Sequence, residues 1–367
     1  MTRKFIGEPD YNHESPDYTG ILFCNLGTPE APTTGAVRRF LREFLSDPRV
    51  VEIPRLIWWV ILNVIILPFR PRHVAKAYAS VWMEGGSPLL VISQQQRDAL
   101  AVELKAQTGT DIPVALGMCY GMPSIPQAMA ELREKGVRRL MVLPAYPQYS
   151  GTTTAAVFDI VSRELQGWRW IPELRMINDY HDDPRYIAAL ASSVRDFREK
   201  QTTPPGERLL MSFHGLPEAM LLAGDPYYCQ CQATARLLAE KLGLADEQWA
   251  ISFQSRLGKA KWLQPYTDKT LQEWGKAGVE SVDVICPGFS ADCLETLEEM
   301  AMQNRDVFVE NGGKHYQYIP ALNSDDAHIH LFAGLVAQHS QGWAKTGQDL
   351  SKLSARSARA TALGAKK

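Results

Sequence analysis

The segment Lys135-Gly136-Val137-Arg138-Arg139-Leu140-Met141-Val142-Leu143-Pro144 returns later in the chain as Ala277-Gly278-Val279-Glu280-Ser281-Val282-Asp283-Val284-Ile285-Cys286-Pro287. Each copy is followed by an aromatic residue and a serine, Tyr149-Ser150 and Phe289-Ser290. A second echo pairs Leu26-Gly27-Thr28-Pro29-Glu30 with His214-Gly215-Leu216-Pro217-Glu218. Self-similarity of this kind restricts the fold to two units of like topology. The length of 367 residues agrees, because a single core stops growing near about 250 to 300 residues. Within each unit, short apolar runs at 20–26, 114–118, 140–143, 209–213 and 250–254 read as buried strands. Helical periodicity intervenes at 36–45, 125–135 and 268–276. Strands alternating with helices give an α/β fold with a parallel sheet covered on both faces. The expected units are 19–186 and 187–337, joined by a helix near 186–200 and the turn-rich 202–206, with their carboxyl edges facing one cleft. A tail over 338–367, rich in Ala, Ser, Lys and Gly, is expected to be disordered or a frayed helix.

Ligands in such sheets bind beyond the carboxyl ends of the strands. His214 ends one of them, and its imidazole titrates near neutrality; the plain structural alternative is a histidine bonded to a neighbouring carbonyl. Beyond Pro287, the residues Asp292, Glu295 and Glu299 stand at i, i+3 and i+7, which places three carboxylates on one helical face. The alternative there is a capping box, Asp292 at the N-cap and Glu295 at its third position. A histidine at one strand end and a carboxylate row after the neighbouring strand form a proton-accepting and cation-guiding pair.

Residues 56–69 are almost wholly apolar and are fenced by Arg55, Arg70 and Arg72. A bilayer span needs about 20 residues, so this segment reads as a buried core helix or as an apolar lip that meets a membrane surface or a large flat ligand. Its paired Trp58 and Trp59 suit an interface. Gly85-Gly86-Ser87-Pro88 then opens a long helix whose polar face carries Gln94, Gln95, Gln96 and Arg97. No glycine-rich phosphate loop occurs at a strand-to-helix turn, which leaves nucleotides unsupported. The net charge of -2 argues against a nucleic-acid partner. Six scattered cysteines and an N-terminus without an apolar leader point to the cytoplasm. The Cys229-Gln230-Cys231 pair lacks the further cysteines that a zinc site would need.

Residues 209–217, the run Phe253-Gln254-Ser255-Arg256-Leu257-Gly258 with Trp262-Leu263-Gln264-Pro265-Tyr266-Thr267-Asp268, and residues 286–299 together resemble the ferrochelatase family. The similarity extends over 20–336 and includes Tyr146-Pro147-Gln148-Tyr149-Ser150. The resemblance implies two Rossmann-like domains with a porphyrin cleft between them. It implies insertion of Fe2+ into protoporphyrin IX, with His214 and Glu295 as catalytic and metal-handling residues. Leu26, Tyr149, Ser150, Trp262 and Phe289 would then contact the ring, and Asp292 and Glu299 would relay protons or metal ions. Residues 56–69 correspond to the lip at the cleft mouth, where peripheral membrane contact is expected. Two departures stand out. Leu26 occupies a position often held by methionine or tyrosine and cannot coordinate metal, and Cys293 stands where many members have histidine, which alters the route by which protons would leave. No cysteine follows Cys293, so no iron-sulfur cluster is expected. Two other readings remain: a chelatase for a different tetrapyrrole such as coproporphyrin, against which the long apolar lip weighs, and a tetrapyrrole carrier in which His214 and Glu295 would be dispensable.

Overall fold

The computed structural model describes residues 5–8, 11–203, 205–256, 258, 260–343 and 350–366. Pro204 and Leu257, from stretches read above, and residues 344–349 of the tail lie outside these. The strands are β1 (Tyr18–Thr28), β2 (Val114–Gly121), β3 (Val137–Pro144), β4 (Glu173–Met176), β5 (Arg208–His214), β6 (Trp249–Gln254), β7 (Ser281–Ile285) and β8 (His315–Ile319). They form two parallel sheets of the same order, β2-β1-β3-β4 and β6-β5-β7-β8. The echoed segments are β3 and β7, and the second echo falls at the ends of β1 and β5. Both glycines of that echo answer one packing need. A Cβ on Gly27 would lie 1.7 Å from the carbonyl oxygen of Tyr120 on β2, and one on Gly215 would lie 2.6 Å from that of Gln254 on β6. In each unit the chain leaving the central strand brushes its neighbour, and only glycine leaves room.

The α-helices are α1 (Thr34–Ser46), α2 (Arg55–Val60), α3 (Leu67–Val81), α4 (Pro88–Thr108), α5 (Ile125–Glu134), α6 (Thr154–Leu165), α7 (Pro184–Lys200), α8 (Glu218–Leu222), α9 (Tyr227–Leu242), α10 (Thr267–Lys276), α11 (Arg305–Glu310), α12 (Asp326–His339) and α13 (Leu350–Ala362). Two π-helices interrupt this series, Ile61–Ile66 and Glu295–Asn304. One face of each sheet packs on a shared core: Phe23, Met118 and Leu143 of the first sheet join Met211, Phe213 and Ile285 of the second. Helices α4, α7, α9 and α12 contribute to that layer, and α12 returns from the second unit to contact α4 and α7. The outer faces have their own clusters. Strands buried on both sides explain the uninterrupted apolar runs.

The structure corrects or resolves three expectations. The tail expected to be disordered or a frayed helix holds the helix α13, which is docked; its Leu353 is buried, and its Arg356 donates to the carbonyls of His13 and Ser15 at 2.9 Å each. Its Ala, Arg and Leu are strong helix formers, and the N-terminal arm supplies the tertiary contact that composition alone could not reveal. Gln96 is not on a polar surface of α4. It is fully buried, and its Nε2 donates to the Ser290 carbonyl and the Asn323 carbonyl at 2.9 Å each, so α4 of the first unit braces two loops of the second. The third concerns 56–69, which is core on one side and lip on the other. Trp58, Leu62 and Leu67 are buried, whereas Leu56, Ile57, Trp59, Val64, Ile65 and Phe69 face solvent. The Trp58 indole N–H donates to the Leu45 carbonyl at 2.6 Å and fastens the lip to α1.

Candidate active site

His214 is the last residue of β5, paired with Gln254 at the end of β6. Its Nδ1 lies 2.7 Å from the Gly215 carbonyl oxygen. A carbonyl only accepts, so Nδ1 is the donor, which leaves Nε2 as the nitrogen that can accept a proton. The carbonyl bond that served as the structural alternative is thus present, and it fixes the tautomer suited to accept a proton. Phe289 stands 6.5 Å from the imidazole, centroid to centroid, with its ring tilted by 54°.

The acidic side differs from the row expected on an α-helix. Asp292 precedes the π-helix and is turned into the fold. Its carboxylate accepts from Tyr318 Oη at 2.7 Å, Asn323 Nδ2 at 2.8 Å and Thr296 Oγ1 at 2.9 Å. The capping box is also absent, since Leu294 is the N-cap residue and makes no side-chain cap. A shared face for 292, 295 and 299 requires one helical period throughout, whereas the π-helix begins at Glu295 and has the wider turn, a feature concentrated at functional sites. Glu295 and Glu299 remain together. Burial, first, raises the carboxyl pKa of Glu299; bonds from Ser255 lower it, as His214 would once protonated, and the charge of Glu295 raises it. These influences place His214, Glu295 and Glu299 in one electrostatic neighbourhood. The first unit contributes Tyr78 of α3, a buried phenol whose pKa rises through burial and then through the charge of Glu295. Cys293 is raised by burial and next by Glu295. Its thiol is therefore protonated beside the carboxylate.

The other expected ring contacts divide. Leu26 is half-buried near the end of β1 and packs on the same cluster as Leu294, the residue before Glu295. Trp262 pairs with Pro217, and its ring would lie 3.2 Å from a Cβ at Gly215. It also walls a polar cavity of about 450 Å³ that reaches Glu299, Ser255, Arg256 and Asp268. Tyr149 opens instead onto a separate cavity of about 160 Å³ beside Arg49 and Asn178. Ser150 is fully buried and donates to Asp225 Oδ2 at 3.0 Å. That hydroxyl is consumed in joining the two units and has no surface for a ring. Sequence reasoning missed Tyr78, which carries no local signal. Gln254 and Ser255 stood inside a quoted motif without a role. Gln254 accepts from Ser212 Oγ at 2.7 Å and reaches the Glu295 carbonyl at 3.4 Å.

Among the described residues, the His, Cys, Asp and Glu donors that gather within 4.8 Å of one another are Asp179, His181 and Asp182, on the loop after β4. His214, Glu295 and Glu299 are spaced more openly than that. The family model named ferrochelatase matches residues 18–340. The chain belongs to the ferrochelatase family. The ferrochelatase of Nitrosococcus oceani is 54% identical over 99% of both chains, and that of Thioalkalivibrio sulfidiphilus is 53% identical over 98% of both. A solved structure, SirB from Bacillus subtilis with Fe3+, superposes with a TM-score of 0.53 at 12% identity, covering 90% of this chain and all of the other; at that identity it speaks for the fold alone. As a ferrochelatase-family member the chain is an enzyme, a metal chelatase of haem synthesis and a lyase. Among the described residues, no helix is long and apolar enough to cross a membrane.

Proposed function

We propose that this enzyme inserts Fe2+ into protoporphyrin IX and releases two pyrrole protons, with iron as substrate and not as a resident cofactor. The observation that carries this reading is the His214 Nδ1 bond to the Gly215 carbonyl, which leaves the accepting role to Nε2 in the electrostatic neighbourhood of Glu295 and Glu299. Insertion requires the ring to lose two N–H protons while a cation approaches its nitrogens. A neutral imidazole accepts a proton, and carboxylates attract and release a divalent cation. An open set of donors suits a metal that must leave for the ring better than a closed cage would. Leu26 and Phe289 supply apolar walls, and the exposed side of the lip offers a landing surface for a flat hydrophobic ring.

The lip also supports contact with a membrane surface from the cytoplasmic side. No aspartate or glutamate occurs from Ile53 to Met83, while Arg55, Arg70, Arg72 and Lys76 do. Apolar side chains fenced by cations suit an interface. The direct test is Fe2+ insertion by purified protein, run in parallel with protoporphyrin IX and coproporphyrin. His214→Ala is expected to abolish turnover and to leave protoporphyrin affinity within about tenfold, because apolar contacts dominate ring binding. A His214→Ala enzyme that keeps substantial turnover would remove the proposed base, and faster use of coproporphyrin would redirect the substrate assignment.

A further inference from the structure

We infer that Ser255 is a positioning residue for Glu299, acting on metal insertion through that carboxylate. The inference rests on the proposed role of Glu299 beside His214 and Glu295. Ser255 follows the last residue of β6 and has a left-handed backbone, φ 64°, a conformation that L-residues other than Gly, Asn and Asp seldom adopt. The turn directs two donors at one carboxylate. The Ser255 N–H meets Glu299 Oε1 at 2.8 Å, and its Oγ meets Oε2 at 2.5 Å. A carboxylate held at both oxygens cannot rotate, and bonds to the ionised form offset the desolvation that burial imposes.

Its neighbours in sequence explain why the grip falls on Ser255. Gln254, one residue earlier, reaches the backbone carbonyl of Glu295, so the end of β6 holds the π-helix at Glu295 and at Glu299. Arg256, one residue later, lines the same cavity as Glu299 and would be the natural partner for a buried carboxylate. It is drawn away. Its Nη2 lies 2.8 and 2.6 Å from the two oxygens of Asp268, and its guanidinium stacks 4.0 Å over the Tyr266 ring. Glu299 is thereby fixed by neutral donors, the Ser255 N–H and hydroxyl, and not by the Arg256 cation.

The test is a double-mutant cycle read in kcat for Fe2+ insertion into protoporphyrin IX, with melting temperatures alongside. Ser255→Ala is expected to lower kcat roughly tenfold or more, since small misplacements of a catalytic group carry penalties of that size. In a Glu299→Gln background the same change is expected to alter kcat by less than about twofold, because the two residues act as one unit. Ser255→Gly relieves the left-handed backbone, so it should melt above Ser255→Ala and yet share its loss of kcat. Full independence of the two substitutions, or activity that returns with stability in Ser255→Gly, would overturn the inference. A Glu299→Gln enzyme with undiminished turnover would instead refute the acidic role itself, and the positioning role with it. A weakened Glu299→Gln enzyme beside a fully active Ser255→Ala would refute Ser255 alone.

Discussion

Neighbouring tryptophans in the lip should respond in opposite ways to removal. Trp59 is 63% exposed and Trp58 only 6%. A tryptophan side chain offers up to about 250 Å², so about 160 Å² of Trp59 faces water. At about 25 cal/mol per Å² its complete transfer from water would be worth about 4 kcal/mol. Partial insertion at headgroup depth would realise about half, on the order of 2 kcal/mol or roughly thirtyfold in vesicle partitioning. Trp59→Ser should therefore weaken liposome binding by at least about tenfold, raise the porphyrin KM, and leave the melt within about 0.5 kcal/mol of the parent. Trp58→Ala should do the reverse. It opens a cavity under the lip and strands the Leu45 carbonyl that its indole satisfies, at about 3 to 5 kcal/mol, which lowers the melting temperature by several degrees. Cosedimentation with neutral and anionic vesicles, with thermal melts of both variants, checks the pair. Loss of fold stability in Trp59→Ser, or unchanged vesicle binding with an unchanged melt, would refute the division of this segment into an anchored side and a wetted side.

Glu295→Gln should slow insertion severely, whereas Glu298→Gln should be nearly neutral, because Glu298 accepts from Gln303 along its own helix; equal damage in steady-state assays would point to bulk charge. Tyr78→Phe should leave the fold intact and change the pH dependence of kcat, since Tyr78 is the phenol from the first unit that senses Glu295; a superimposable pH profile would exclude it from the site. His328 is buried with its pKa pushed down to about 4, by burial first. Its folded value lies below the unfolded one, so the unfolded chain takes up the proton first on acidification. The stability it contributes is complete above about pH 6.5 and is lost as the pH falls towards 4, on the order of 3 kcal/mol in all. Urea titrations across that range should show the loss in the parent and a shallower slope in His328→Gln; parallel slopes would disprove the assignment.

The sequence by itself determined the repeat, and with it two sheets of one strand order. An apolar run of strand length, closed by glycine and proline, reports local pairing and local turn geometry, and both are encoded by near neighbours. For the same reason the end of β5 could be located to the residue, and His214 with it. The tertiary structure decided which polar groups face the cleft. Asp292 shares its spacing with Glu295 and Glu299, but Tyr318 of β8 and Asn323 of the loop after it bind its carboxylate into the fold. Gln96 lies on what reads as a polar face until the second unit covers it. Ser150 resembles a ligand contact until Asp225 takes its hydroxyl. Trp58 and Trp59 are identical in composition terms, and only the position of α1 buries one and leaves the other wet. Each of these outcomes depends on a partner remote in the chain. Periodicity records the direction in which a side chain leaves its own element, and the burial and bonding that follow are set by whatever other element the fold places opposite it.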